Sequence, residues 1–197
     1  MLSFDDALQC ILENTPILPQ IRVLLTQSPG YVLAEPITSP FDMPRFDNSA
    51  MDGFGVRLAD IENASEATPA KLAVTEIIQA GSNKTSALIS GTAVKIMTGA
   101  PVPPSVDAIV MKEYCDTRNG HVLIKRSARL SDNIRKQGEE FCQGQVVLNA
   151  RTLITPAVLG LLATLGYGEV PVYAKPRIGI VATGNELVEP GKPLGSG

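Results

Sequence analysis

The sequence predicts a β-rich fold of the α+β class, with a small barrel-like or sandwich-like region in its middle. Residues 57–140 contain several short runs of Val, Ile and Leu that are bounded by Gly, Pro, Ser or Asn, a pattern typical of short strands. An Asn-Gly pair at Asn119-Gly120 lies between two such runs and is the strongest short-range signal of a β-hairpin. Helical signals fall only outside this region.

The first predicted element is an amphipathic helix over residues 3–14. Ser3 is a suitable N-cap, and Asp5 and Asp6 in the first turn complement the helix dipole. The apolar side chains of this segment recur at helical spacing and form one face, which comprises Phe4, Ala7, Leu8, Ile11 and Leu12.

A short helix or turn is predicted around Tyr31–Ala34, after Pro29-Gly30. The next stretch, Pro36–Gly55, contains three prolines among Asp, Asn, Ser and Gly residues. This composition favours an extended, rigid loop over a periodic element.

The predicted strands of the middle region are Lys71–Gln79, Ala93–Met97 and Ala108–Tyr114. The Asn-Gly turn then predicts a hairpin in which Ala108–Cys115 pairs with His121–Lys125.

Toward the end of the sequence, strands are predicted at Gln145–Asn149 and Glu169–Tyr173. They flank a helix over Ala157–Leu165, because Thr155-Pro156 is typical of a helix start and Gly166 of a helix end.

The run Arg177–Ala182 is almost continuously apolar and predicts a strand that is buried on both faces of a parallel sheet. A lone parallel strand cannot form a core. We therefore expect the sequence to break off inside an α/β domain.

Composition describes an ordinary globular protein: of 197 residues, 44% are hydrophobic and 19% are charged. No apolar run approaches the roughly 18–20 residues that span a bilayer, and the first ten residues have no signal-peptide pattern, so we expect a cytoplasmic location without membrane contact. Three scattered cysteines and one histidine predict neither a zinc site nor a disulfide framework. An acidic pI near 5.2 and few aromatic residues argue against nucleic-acid binding.

Charge is distributed unevenly along the chain. Residues 1–70 contain three basic and ten acidic residues, whereas residues 71–150 contain ten basic and seven acidic residues. The basic excess can focus an anionic small molecule or be the solvated face of a hairpin; it is concentrated in Arg118, Lys125, Arg126, Arg129, Arg135 and Lys136.

Four polar segments are candidates for chemistry. The loop Arg45–Gly55 combines carboxylates, an amide and a hydroxyl, and Lys95–Pro104 ends a strand in a Thr-Gly turn. Asn133–Glu140 contains an arginine suited to phosphate, and Thr183–Glu186 follows the predicted parallel strand, where such folds bind ligands. Taken singly, each segment is also compatible with a simple turn, an ion-pair loop or a solvated loop.

The order and spacing of these segments resemble the MoeA family of molybdopterin molybdenumtransferases, which includes the E domain of gephyrin. The matching motifs are P-x-F-D-N-S-A-M-D-G-F at Pro44–Phe54, K-I-M-T-G-A-P-V-P at Lys95–Pro103, D-A-I-V-M-K-E at Asp107–Glu113, N-I-R-K-Q-G-E-E at Asn133–Glu140, and I-V-A-T-G-N-E-L at Ile180–Leu187 followed by P-G-x-P-L-G at Pro190–Gly195.

The resemblance implies a homodimeric enzyme of molybdenum cofactor biosynthesis, with each active site shared between subunits. Its substrates would be adenylylated molybdopterin and molybdate, AMP would be released, and Mg²⁺ would assist. The enzyme that adenylylates molybdopterin would be a partner. Because such proteins are longer than this chain, the resemblance also implies an N-terminal fragment that is inactive alone.

The domain organisation implied by the resemblance has four parts. Residues 1–19 would form an N-terminal helix, and residues 20–38 with 141–175 an elongated α/β linking domain. Residues 39–140 would form a β-rich domain inserted into it, and residues 176–197 would start a truncated α/β pterin-binding domain.

The resemblance also implies roles for individual residues. Asp52, Thr98 and Glu186 would be catalytic, and Glu186 would also bind Mg²⁺. Asp52 and Thr98 would face the cleft from the inserted domain, and Glu186 from the α/β side.

Substrate binding is implied for Ser49, Arg135, Glu140 and Asn185. Many bacterial members have Asp where this chain has Glu140 and Asn185, and Arg where it has Gln137. These differences leave open a gephyrin-like dimeric scaffold that has lost catalysis. A β-rich ligand-binding module without catalysis is a further alternative.

Overall fold

The computed structural model describes residues 2–82, 87–184 and 186–195. These residues form two compact units. The larger unit is Pro36–Asn149, and the smaller unit combines Met1–Glu35 with Ala150–Gly197.

The described part of the chain contains two α-helices, α1 at Phe4–Glu13 and α2 at Pro156–Thr164. Short 3-10 helices lie at Leu25–Gln27, Leu58–Asp60 and Lys112–Tyr114. The described strands are β1 Gln20–Leu24, β2 Ile37–Thr38, β3 Asn48–Ser49, β4 Gly53–Val56, β5 Ala70–Ile78, β6 Thr92–Ile96, β7 Ala108–Met111, β8 Cys115–Arg118, β9 His121–Ile124, β10 Ile134–Arg135, β11 Val146–Leu148 and β12 Glu169–Tyr173. This content confirms the predicted β-rich α+β class.

The larger unit is built on a six-stranded mixed sheet in the order β7-β4-β6-β5-β9-β8. β5 and β6 run parallel, and the other neighbouring pairs are antiparallel. The edge strands β7 and β8 are not hydrogen-bonded to each other among the described strands. The sheet is therefore open, where the sequence predicted a barrel or sandwich.

The residues of β4, β6 and β7 are the most deeply buried of the sheet. The strand β4, which lies between β7 and β6, is buried at all four residues. Apolar side chains of the sheet form two clusters. One contains Phe54, Val56, Leu72, Val122 and Ile124, and the other contains Ile78, Val94, Ile96 and Ile109.

The predicted Asn-Gly hairpin is present, although its first strand differs from the prediction. Asn119 and Gly120 both have positive φ angles, 49° and 76°, as a type I′ turn requires. The 3-10 helix Lys112–Tyr114 interrupts the predicted hairpin strand Ala108–Cys115, so β7 pairs with β4 and only β8 forms the hairpin with β9.

Most of Pro36–Gly55 is irregular, as predicted, but two short strands within it pair with strands elsewhere in the larger unit. β2 pairs with β11, and β3 pairs with β10. The loop leads directly into β4, so its last residues are positioned by a strand that is hydrogen-bonded to neighbours on both sides.

In the smaller unit, β1 and β12 form an antiparallel pair. The predicted second helix is confirmed as α2: Oγ1 of Thr155 accepts the N–H of Val158 at 3.4 Å, and Gly166 has a φ of 83°. No described helix is long and apolar enough to cross a membrane.

The short helix or turn predicted around Tyr31–Ala34 is wrong. Val32 and Leu33 instead make β-bridges to Leu153 and Val172. Leu33 is fully buried, and its N–H donates to the carbonyl of Thr152 at 2.9 Å. Tertiary pairing therefore overrides the local turn signal.

The predicted N-terminal helix is confirmed as α1. The hydroxyl of Ser3 accepts the N–H of Asp6 at 3.1 Å, which caps the helix as expected. Its apolar face is nevertheless exposed in this chain, with Phe4 80% and Ile11 62% accessible.

The strand predicted at Arg177–Ala182 is absent from the structure. This segment has no ladder partner among the described strands, and Ile180 is 93% exposed. A parallel strand is stabilised by hydrogen bonds to its neighbours, so an apolar run without a neighbouring strand does not form one.

Candidate functional site

The sheet brings three polar residues from distant parts of the sequence to one edge of the larger unit. Asp52 immediately precedes β4, Lys112 immediately follows β7, and Thr98 lies two residues after β6. Because β4 lies between β6 and β7 and is antiparallel to both, the start of β4 is beside the ends of the other two strands. We refer to Asp52, Thr98 and Lys112 as the Asp52 cluster.

The carboxylate of Asp52 is the centre of this cluster. Its Oδ1 accepts the backbone N–H and the hydroxyl of Thr98, each at 2.9 Å. Its Oδ2 accepts a hydrogen bond from Nζ of Lys112 at 3.2 Å. The backbone N–H of Lys112 donates to the backbone carbonyl of Asp52 at 3.1 Å. Four hydrogen bonds therefore hold the three residues in one arrangement.

These contacts set the charge state of Asp52. The backbone N–H of Thr98, its hydroxyl and then Lys112 lower the pKa of the Asp52 carboxyl, because each of them stabilises the ionised form. The cluster therefore pairs a carboxylate with an ammonium group at neutral pH. The Lys112 side chain is 60% exposed and that of Asp52 is 31% exposed, so a ligand can reach both.

The arrangement determines which groups remain for a ligand. Both donors of Thr98 point to Asp52, so the Thr98 hydroxyl presents its lone pairs outward as an acceptor. The ammonium group of Lys112 has three N–H donors, of which Asp52 takes one. An oxyanion is therefore expected to contact Lys112, while Asp52 keeps the two other side chains in place.

We expect the titration of Asp52 to report this arrangement directly. Its midpoint should lie below the ordinary value of about 3.9. Since the pKa is lowered on folding, the carboxylate stabilises the folded state fully above the unfolded pKa, and this stabilisation is lost as pH falls through the folded pKa. Carbon-detected NMR of the side-chain carboxyl between pH 2 and 7 measures the midpoint.

The Thr98→Ala substitution provides the comparison, because it removes the hydroxyl donor and keeps the backbone N–H. It should move the Asp52 midpoint upward. A wild-type midpoint at or above the ordinary aspartate value would contradict the hydrogen-bonding pattern.

A second polar network ties the segment Asn133–Glu140 to the loop Arg45–Gly55. The carboxylate of Asp47 accepts hydrogen bonds from Nζ of Lys136 and from the backbone N–H of Gln137, both at 2.8 Å. Burial raises the pKa of Asp47, but these hydrogen bonds and the charge of Lys136 outweigh it and lower the pKa overall. Lys136 is thus an ion-pair residue that positions the loop.

The other predicted site residues of this unit lie in different surroundings. Ser49 is fully buried, and its hydroxyl donates to the carbonyl of Met51 at 2.5 Å, so it stabilises the turn before Asp52. Direct contact with a substrate would require this turn to open, and the predicted binding role of Ser49 stays a prediction.

Arg135 and Glu140 are both exposed. Arg135 lies in β10, opposite Asn48 of β3, and the N–H of Glu140 donates to the carbonyl of Met43 at 2.9 Å. Both residues are attached through their backbones to the loop that leads to Asp52, and their side chains remain available for a ligand.

Glu186 lies in an exposed turn of the smaller unit, and Asn185 lies outside the described residues. Their predicted roles stay predictions. Lys112, in contrast, is a residue of the Asp52 cluster that sequence reasoning did not single out. Lys112 can be recognised only from the pairing of β4 with β7. This pairing places Gly53 opposite Met111 and therefore Asp52 beside Lys112.

Two further features bear on the chemistry of the larger unit. Burial, together with the nearby charges of Asp116 and Glu113, raises the pKa of the Cys115 thiol to about 12, so this thiol is a poor nucleophile. Within residues 2–82, 87–184 and 186–195, no group of three His, Cys, Asp or Glu side chains is placed to hold a metal ion.

The fold places this chain among molybdopterin biosynthesis proteins of known structure. It superposes on a crystal structure of the molybdopterin biosynthesis MoeA protein from Pyrococcus horikoshii OT3 with a TM-score of 0.86 and 34% identity, covering 98% of this chain and 51% of that chain. A second structure of a Pyrococcus MoeA protein gives a TM-score of 0.75 and 32% identity, covering 98% and 49% of the two chains.

The sequence comparison names the family. The model for the MoeA N-terminal region (domain I and II) matches residues 2–166, and the chain belongs to this family. The resemblance deduced from the motifs is thus confirmed.

Curated relatives agree. Molybdopterin molybdenumtransferase 2 of Mycobacterium tuberculosis H37Rv is 44% identical over 177 residues, which cover 90% of this chain and 44% of that protein. The molybdopterin molybdenumtransferase of Haemophilus influenzae is 40% identical over 199 residues, covering 100% of this chain and 48% of that protein. The chain therefore spans less than half the length of these relatives.

Proposed function

We propose that this chain supplies the N-terminal domains of a molybdopterin molybdenumtransferase, which inserts molybdenum from molybdate into adenylylated molybdopterin and releases AMP. The observation that carries the proposal is the Asp52 cluster, a preorganised ion pair with an adjoining hydroxyl, in a chain 40% identical to a relative of that name. Both substrates are oxyanions or carry phosphate groups, which suits an exposed ammonium group.

Each residue of the cluster has a separate task in this proposal. Lys112 binds an oxyanion oxygen of molybdate or phosphate through its remaining N–H donors, and Thr98 accepts a hydrogen bond from the pterin substrate or from water. Asp52 stays ionised and holds both side chains in place. Catalysis then rests on positioning and charge neutralisation, in keeping with the unreactive thiol of Cys115.

The family resemblance is the only support for including Mg²⁺ in the proposed function. The oxygens of Asp52 already accept hydrogen bonds from Thr98 and Lys112, and the described residues contain no three-residue metal cluster. Glu186 is the residue proposed to hold Mg²⁺, with the remaining ligands supplied by water and substrate phosphate oxygens. The tasks of Asp52, Thr98 and Lys112 do not depend on the metal.

The finer organisation is also part of the proposal. Residues 39–140 form the inserted domain, residues 20–38 and 141–175 the linking domain, and residues 176–197 the start of the pterin-binding domain. The protein acts as a cytoplasmic homodimer with a shared cleft and receives its substrate from the adenylylating enzyme. Exposed Arg135 and Glu140 are available to contact the substrate, and Glu186 would act from the α/β side.

Genetic complementation tests the proposed function. A bacterial strain that makes adenylylated molybdopterin but cannot insert molybdenum should regain molybdoenzyme activity when it expresses the full-length protein. Residues 1–197 alone should not restore activity, because the pterin-binding domain is required. Nitrate reductase activity in cell extracts is a suitable measurement.

The scaffold alternative makes the opposite prediction, since a protein without catalysis would leave the strain inactive although it is expressed and folded. No observation on the larger unit favours it, and the relatives compared above carry transferase names. Failure of the folded full-length protein to restore activity would reject the proposed transferase.

A further inference from the structure

We propose that the larger unit contains an oxyanion-binding pocket formed by Arg126, Ser127 and the outer edge of β7. The pocket is a cavity of about 250 Å³ between β7 and the segment 126–133. Its lining does not include any residue of the Asp52 cluster. The inference therefore does not depend on the proposed transferase function.

The floor of the pocket is a strand edge with a fixed hydrogen-bonding pattern. Ile109 directs its backbone away from β4: its N–H donates to the carbonyl of Asp132 at 3.0 Å, and its carbonyl accepts Nδ2 of Asn133 at 2.8 Å. The N–H of Lys112 points the other way, to Asp52. Because the direction alternates along a strand, the N–H of Met111 lies on the side away from β4, and Met111 is one of the residues that line the cavity.

The wall of the pocket carries a positioned guanidinium group. Arg126 lies over the ring of Tyr114, 4.8 Å from its centroid, and the adjacent Lys125 N–H donates to the carbonyl of Tyr114 at 3.0 Å. These two contacts hold Arg126 at the pocket while its N–H donors stay available. Across the described ranges, Arg126 has no ion-pair partner.

Neighbouring residues add donors and one acid. A second cavity shares Arg126 and Ser127 with the first and is also lined by Arg129. No carboxylate in the described part of the chain pairs with the Arg129 side chain. Asp132 also lines the pocket, but its Oδ2 already accepts the N–H of Arg129 at 2.8 Å. The guanidinium groups of Arg126 and Arg129 thus lie near a single carboxylate, Asp132, which already accepts one hydrogen bond.

This donor set defines the ligand class. A rigid backbone N–H, a hydroxyl and a planar guanidinium fork match a tetrahedral oxyanion such as phosphate. The cavity is large enough for a phosphate-sized group. The ligand is either a free oxyanion or the phosphate group of a larger molecule.

The test is a titration of the 197-residue chain with inorganic phosphate at constant ionic strength, followed by ¹⁵N NMR. Saturable shifts are expected at the Met111 amide and the Arg126 Nε. Arg126→Gln should weaken binding about tenfold, the effect of losing a charged hydrogen bond, and Arg129→Gln should weaken it less. Shifts that chloride reproduces, or an unchanged affinity in Arg126→Gln, would overturn the proposal.

Arg45→Gln is the matched control, because Arg45 also lies over an aromatic ring, 5.3 Å from the centroid of Phe41, yet lines neither cavity. Its phosphate affinity should equal that of the wild type, and an equal loss in both variants would overturn the site. Glycerol phosphate distinguishes the ligand source. Binding as tight as that of phosphate assigns the pocket to a phosphate ester, and tighter phosphate binding assigns it to the free anion.

Discussion

Replacing Asp52 with asparagine in the full-length protein is expected to lower the rate of molybdenum insertion by about a hundredfold, the usual scale for losing a preorganised electrostatic group. Asparagine keeps the shape of the side chain and an oxygen that can accept the donors of Thr98. It removes the negative charge and turns an amide N–H₂ toward Nζ of Lys112, which lay 3.2 Å from the carboxylate. Lys112 then loses its fixed position.

The measurement is single-turnover release of AMP from adenylylated molybdopterin in the presence of molybdate. Asp116→Asn is the matched control, because Asp116 forms a comparable exposed ion pair with Lys125 at 2.9 Å in the same sheet. That substitution should leave the rate within about twofold, as expected for a surface pair. Equal losses in the two variants would show that Asp52 acts through general stability and not at the site.

Replacing Gly53 with alanine is expected to destabilise the larger unit by about 2–3 kcal/mol, the scale of overpacking in a core. A Cβ at Gly53 would overlap the carbonyl oxygen of Val110 and lie 2.9 Å from its carbonyl carbon. Because these are backbone atoms, β4 and β7 must separate to make room. The separation would also pull Asp52 from Lys112, so the Asp52 pKa should rise in the same variant.

Denaturant unfolding followed by circular dichroism measures this loss. Gly160→Ala is the comparison, since Gly160 lies inside α2 and a Cβ there meets nothing within 4 Å. It should stabilise the folded chain by up to about 1 kcal/mol. Unchanged stability in Gly53→Ala would mean that β4 and β7 are not as closely apposed as the structure shows.

Local features of the fold could be predicted from the sequence because their signals are local. The capping contact of Ser3 in α1, the Thr155-Pro156 start of α2 and the Asn119-Gly120 hairpin turn each depend on residues within a few positions of one another. These elements lie where they were predicted. The wrong predictions are those that depend on pairing with distant segments. Val32 and Leu33 form β-bridges to distant residues and not a local turn, and Arg177–Ala182 has no partner strand among the described strands.

The candidate site shows the same division. The motifs led to the family, which the comparisons confirm, and to predicted roles for Asp52 and Thr98, which stay predictions. They could not identify Lys112, because its contact with Asp52 joins residues 60 positions apart and requires β7 to pair with β4. The Arg126 pocket depends in the same way on the edge of β7.

The two helices, the hairpin turn, the polar loop before β4 and membership of the MoeA family could all be inferred from the amino-acid sequence. Three features depend instead on how distant strands pair: the open sheet, the separation of β7 from β8, and the contact of Lys112 with Asp52. Capping and turn preferences act between neighbours along the chain, whereas strand pairing is decided by which distant segments bury their apolar faces together. The choice of strand partners can therefore be read from the folded structure but not from local sequence patterns.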